Sequence, residues 1–95
     1  MKTYFVYITT NPGKTVLYTG VTNNLSLRIQ QHHANKGNKT TFAGKYFCYK
    51  LIYYEIFSAI KEAIEREKEI KGLTRKEKEA LIKATNPRLN FINAF

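Results

Sequence analysis

Glu67 stands where a helix should bury an apolar side chain. In "EAIEREKEIKG" (Glu62–Gly72), Ile60, Ala63, Ile64 and Ile70 recur at helical spacing, and Glu67 falls inside their stripe, seven residues after Ile60 and three before Ile70. A carboxylate placed there is costly unless a cation or other partner meets it. Lys71, four residues on, is one candidate partner, and a metal ion is another. Two further features invite chemistry. Arg28 and His32 lie four apart and share one face of a helix, offering a planar phosphate-binding fork beside an imidazole. Tyr7 and Tyr18 sit on two successive strand-like segments and supply phenols that can hold water or phosphate. Taken singly, each also reads as an ordinary packing or boundary residue.

The elements that must position these groups follow from local pattern. "YFVYI" (Tyr4–Ile8) is β-branched and aromatic, a strand, and "TTNPGKT" (Thr9–Thr15) is a turn. "VLYTGV" (Val16–Val21) is a second strand, so the two make an antiparallel hairpin. "TNN" (Thr22–Asn24) offers N-caps for a helix with Leu25, Ile29 and His32 in line, ended by "NKGNK" (Asn35–Lys39). A basic loop spans Lys36–Lys45, and "YKLIYYEIF" (Tyr49–Phe57) is a third strand. Ser58 is positioned to cap the Glu67 helix and Gly72 to follow it at C′. Thr74 and Glu77 match a capping box for a last helix running to about Thr85, and Asn86–Phe91 forms a terminal segment. The expected fold is α+β: a small three-stranded, mainly antiparallel sheet covered by helices, in the order β-β-α-β-α-α, as one domain over residues 1–95.

Charge narrows the function. The net charge is +9, and residues 1–54 hold seven Lys/Arg and no acid, while all seven carboxylates, every one Glu, lie in residues 55–95. Such a basic field attracts polyanions, nucleic acid foremost. Lys36, Lys39, Lys45 and Lys50 are expected to track a nucleic-acid backbone, with Phe42 and Tyr46 available for stacking. No apolar run approaches the roughly 20 residues of a membrane span, and the amino terminus lacks a signal-peptide pattern. Cys48 is the only cysteine, which excludes an intrachain disulfide and a cysteine zinc cluster. The expected location is the cytoplasm, with no membrane partner.

In combination and order these motifs resemble the GIY-YIG nuclease superfamily. "FVY" (Phe5–Tyr7) and "YTG" (Tyr18–Gly20) resemble its paired motif, and "NLSLRIQQHH" (Asn24–His33) places Arg28 at the family's arginine and His32 four residues on. "AIEREKEIK" (Ala63–Lys71) places Glu67 at its metal-binding glutamate, and "NPRLN" (Asn86–Asn90) resembles its closing segment. The likeness spans about residues 4–90. It is greatest to the small standalone bacterial branch, similar in its core to the incision nuclease of DNA excision repair. Three positions depart: Phe5-Val6 replaces the usual Gly-Ile, Thr19 stands in the second motif, and Val21 follows Gly20 where several family nucleases carry Lys.

The resemblance implies a divalent-metal-dependent endonuclease hydrolysing phosphodiesters, with DNA the expected polymer and RNA or branched DNA open. Glu67 would anchor a single Mg²⁺ or Mn²⁺, since Mg²⁺ is held by one or two carboxylates plus phosphate and water. Tyr7 and Tyr18 would line the water and phosphate, one of them serving as general base, with either assignment open. Arg28 would neutralise the phosphate, and His32 would orient a water or donate to the phosphate. Gly20, with Asn90 or Asn86, would support the site, and all five catalytic side chains would face one concavity. With no appended DNA-binding domain in these residues, target choice would fall to a partner protein. The alternative is a non-catalytic nucleic-acid-binding module on the same scaffold. A third reading, a protein-interaction domain, explains the charge but not the Tyr/Arg/Glu set.

Overall fold

A computed structural model describes residues 2–93. Its elements are β1 (Tyr4–Thr10), β2 (Leu17–Thr22), α1 (Leu25–Ala34), a single turn α2 (Phe42–Lys45), β3 (Lys50–Phe57), α3 (Ile60–Lys71) and α4 (Arg75–Lys83). The three strands pair antiparallel in the order β2-β1-β3. The α+β architecture expected from the sequence is therefore the observed one, with α2 as an addition inside the basic loop.

β1 is the central strand, and it is buried from Val6 to Thr10 because helices cover both its faces. Side chains alternate along a strand, so Val6 and Ile8 point one way and Tyr7 the other. Val6 and Ile8 pack with Ala63 and Ile70 of α3 and Ile82 of α4. Tyr7 packs with Leu25 of α1 and Leu51, with Ile29 and Ile92 at the margin. The β1/β3 register slips between Ile8 and Thr9, from Ile8↔Tyr53 to Thr9↔Leu51. That bulge lets the successive residues Ile52 and Tyr53 enter the same core, while Leu51 joins the Tyr7 layer.

Local signals set most helix ends. The Asn24 side chain accepts from the Leu27 N–H at the start of α1, and Thr74 with Glu77 completes the capping box of α4. α3 departs from expectation. Its N-cap is Ala59, not Ser58, without a side-chain cap, and Gly72 takes the C-cap itself in a right-handed conformation. Its buried face also differs: Ala63 and Ile70 are fully buried, but Ile60 and Ile64 remain 44% and 37% exposed. The reason lies in β3. The Arg66 guanidinium donates to both carboxylate oxygens of Glu55, at 2.9 and 3.0 Å, which turns the Ala63–Arg66–Glu67–Ile70 side of α3 toward the sheet.

Candidate active site

The hairpin brings the two motif strands into register so that Tyr7 lies opposite Gly20. Directly paired residues point to the same face, and the Tyr7 ring lies across Gly20. A Cβ on Gly20 would stand 2.5 Å from the Tyr7 hydroxyl and 2.6 Å from its ring. The glycine is needed for this close approach, not for an unusual backbone angle.

From the helix above, the Tyr7 hydroxyl meets two partners: it receives a hydrogen bond from Arg28 Nε at 3.1 Å and lies 2.8 Å from His32 Nε2. A phenol has one proton to donate, so with Arg28 donating to the oxygen, the O–H is directed at the imidazole. Burial, with Arg28 nearby, lowers the His32 pKa to about 4, so the ring is neutral and can accept. Burial also raises Tyr7 to about 12; Arg28 opposes the rise, and Tyr18 and Glu67 add to it. The Arg28 guanidinium is held above its ordinary value, first by Tyr7 and further by Tyr18. Tyr18 packs against both other rings, 6.3 Å from Tyr7 and 5.4 Å from His32.

Tyr7 is 0% exposed. A cavity of about 150 Å³ opens beside it and is lined by Tyr18, Arg28, His32, Asn35, Thr41 and Phe42. α2 supplies its far wall: Thr41 caps that turn, and the Phe42 ring stacks on Tyr18 at 6.2 Å and 27°. Tyr46 continues the aromatic series 4.8 Å from Phe42, with the Lys45 ammonium over its ring. Asn35 and Thr41 were not among the sequence candidates. The signal for Thr41 was its place as a hydroxyl residue just before a short apolar stretch.

Tyr7, Tyr18, Arg28 and His32 thus meet in one cluster. Glu67 stands apart: neither it nor the buried Tyr7 lines the cavity that Tyr18, Arg28 and His32 share, so the five side chains do not all face one concavity as expected. Glu67 belongs to α3, which covers the opposite face of the sheet, and its side chain is 17% exposed with Lys71 Nζ 3.4 Å from Oε2. Its negative charge is the smallest of the influences on Tyr7, far behind burial. Among the described residues no three His, Cys, Asp or Glu side chains converge as a ligand set. The hard carboxylate donor of Glu67, partly open to solvent, fits a divalent cation that keeps most of its waters.

The remaining candidates lie away from the cluster. The Asn86 amide donates to the Ile52 and Asn90 carbonyls and accepts from the Asn90 N–H, so it ties the terminal segment to β3. Asn90 enters that tie through its backbone. Lys36 and Lys50 lie over the Tyr49 ring, each at 5.3 Å. Lys39 is exposed in the loop before α2.

Residues 3–80, which contain this cluster and Glu67, match the GIY-YIG catalytic domain, and the chain belongs to that family, a nuclease superfamily. It is similar to the UPF0213 protein SH2523 of Staphylococcus haemolyticus, at 40% identity over 82 residues covering 86% of this chain and 96% of that protein. It is likewise similar to the UPF0213 protein NP_0776A of Natronomonas pharaonis, at 37% identity over 79 residues covering 83% and 89%. The solution NMR structure of the UPF0213 protein BH0048 from Bacillus halodurans matches with a TM-score of 0.56 at 31% identity, covering 90% of this chain and 88% of that one.

Proposed function

We propose that the chain is a divalent-metal-dependent endonuclease that hydrolyses phosphodiester bonds in nucleic acid, with DNA as the principal substrate. The observation that carries this reading is the Arg28 guanidinium, bonded through Nε to the Tyr7 hydroxyl and set with Tyr18 at a small cavity without a carboxylate in its lining, in a chain of the GIY-YIG family. Arg28 neutralises the scissile phosphate through its planar fork. Tyr18, half-exposed at the cavity, orients the attacking water. Tyr7 is out of solvent and acts as a positioning residue: its hydroxyl fixes Arg28 and His32. With Tyr7 near 12 and His32 near 4, the shared proton stays on the phenol, so this hydrogen bond orients rather than transfers. His32, neutral and accepting from Tyr7 at Nε2, carries its proton on Nδ1 and has that one donor left to offer. Glu67 is the residue that would hold Mg²⁺ or Mn²⁺, whose chemistry is to offset charge on the phosphate.

The test is nicking of supercoiled DNA with Mg²⁺, with Mn²⁺ and with chelator. Chelator and Glu67→Gln should each lower nicking by about 100-fold or more, the scale of losing one preorganised electrostatic contact. DNA binding by the variant should persist, because a charge that repels phosphate has been removed. Nicking that survives Glu67→Gln would remove Glu67 from the mechanism.

One observation favours the non-catalytic reading: Glu67 already has a cationic partner in Lys71. If that pair is its whole role, Glu67→Gln costs only about 0.2–0.5 kcal/mol of stability. The protein would then bind DNA and nick it under none of the three conditions.

A further inference from the structure

α1 has a second working face. Ser26, Ile29, Gln30 and His33 recur at i, i+3, i+4 and i+7, turned away from the Arg28 and His32 pair, and they wall a cavity of about 250 Å³. Tyr49 and Phe91 supply its aromatic surface. Phe91 is delivered by the terminal segment, which is pinned where the Ile92 N–H donates to the Leu51 carbonyl at 2.7 Å. Tyr49 is steadied edge-on by His33, with ring centres 5.1 Å apart.

Three ammonium groups crowd these two rings. Lys14 lies 5.1 Å from the Phe91 centroid, Lys36 lies 5.3 Å from that of Tyr49, and Lys50 reaches both, at 5.3 Å from Tyr49 and 5.4 Å from Phe91. No carboxylate lines the cavity. Clustered ammonium groups repel a metal cation and suit poorly a purely apolar ligand. Flat rings ringed by positive charge suit a flat ligand that carries anions on its edge. The volume falls below the roughly 300–1,000 Å³ of sites that enclose a whole ligand, so it has room for one ring system with the charged part outside.

We infer that this cavity is a stacking subsite for an unpaired base of single-stranded nucleic acid, with Tyr49 and Phe91 receiving the base and Lys14, Lys36 and Lys50 the flanking phosphates. The inference rests on the reading that nucleic acid is the substrate, and it deepens it. A base can lie on these rings only where it has left its own stack, which a continuous duplex does not permit. The substrate class it selects is nucleic acid with a single-stranded stretch. Lys36 is exposed and Lys14 and Lys50 are half-buried, so their cation–π contacts are near-surface and weak, and phosphate draws them off as the base enters.

The test is a binding titration in chelator, so that no cleavage intervenes. Labelled oligothymidylate is compared with an abasic strand of the same length and with a blunt duplex. The native chain should bind the base-bearing strand about 5- to 150-fold more tightly than the abasic one, the range for one stacked base. Tyr49→Leu and Phe91→Leu, with folding checked by circular dichroism, should erase that preference and leave duplex affinity unchanged. Equal affinity of the native chain for base-bearing and abasic strands overturns the subsite whether or not the variants fold. Folded variants that keep the preference, or that weaken all three ligands alike, overturn it too. A persistent base preference without nicking would remove the nuclease reading alone, and nicking without base preference would remove the subsite alone.

Discussion

Tyr7 holds the site together from a position that solvent does not reach. Its hydroxyl joins α1 to the hairpin through Arg28 and His32, and Gly20 makes room for it. Gly20→Ala would drive a methyl group into a ring held by packing and two hydrogen bonds. The expected loss is about 1–3 kcal/mol, read as a lower urea midpoint; an unchanged midpoint would show that Tyr7 has room to move. His32 makes a second prediction. In the unfolded chain its imidazole takes a proton as pH falls through 6.5, whereas in the folded chain burial and Arg28 delay this to about 4. Between those values the unfolded state binds the extra proton. The contribution is therefore complete above pH 6.5 and is lost as pH falls toward 4, by roughly 3 kcal/mol in all. The informative quantity is the native curve minus that of His32→Gln, which cancels what every other group contributes. A flat difference between pH 7 and 4 would contradict the buried, neutral assignment.

The sheet and its helices explain why the terminal segment matters. β3 is an edge strand, and the chain after α4 returns to lie beside its first residues. Three hydrogen bonds from the Asn86 side chain make that return possible, one to Ile52 and two to Asn90. Asn86→Ala should cost about 1 kcal/mol, chiefly through the partly buried Ile52 carbonyl, since water reaches the exposed Asn90 groups. It should also abolish hydrogen-exchange protection of the Ile92 amide while that of β1 amides persists. If Ile92 stays protected, the segment is held by Phe91 and Ile92 packing instead, and Asn86 has no clamping role. On the other face, the Arg66–Glu55 pair fixes the rotation of α3 and so decides which of its side chains approach the sheet.

For the molecule as a whole, the uneven charge along the chain becomes an uneven charge in space. Glu55, Glu67, Glu69 and Glu79 pair with Arg66, Lys71 and Arg75 on or beside α3 and α4. The Tyr7 face, formed with α1, carries cations without carboxylates from the first 54 residues. Nucleic acid should therefore bind on that side and with a steep salt dependence. Plotted as log affinity against log salt, the slope for duplex DNA should fall by about 0.9 for each phosphate contact removed. Replacing Lys36, Lys39 and Lys45 together with Ala should flatten it by up to about 2.7. Replacing Lys61 and Lys68, exposed on α3, should leave it unchanged. Equal flattening by both sets would mean that the charge acts without orientation.

Much of this protein was legible in short stretches. The alternation in "YFVYI", the Asn24 cap, the Thr74–Glu77 box and the i, i+4 spacing of Arg28 and His32 act within a few residues, so the elements and the faces of α1 followed from local rules. Relations between elements did not. Ile60 and Ile64 belong to an apolar stripe by spacing, yet the bidentate grip of Arg66 on Glu55 rotates α3 and leaves both exposed. The turn α2, too short to show periodicity, forms as Phe42 finds the Tyr18 ring. The two tyrosines look alike along the chain, and only the strand order separates them. Tyr7 lies on the central strand, covered from both sides, and Tyr18 on an edge strand beside a cavity. Which strand is central is settled by the pairing of β1 with a partner 40 or more residues away in the chain, a long-range contact that no local pattern of side chains encodes.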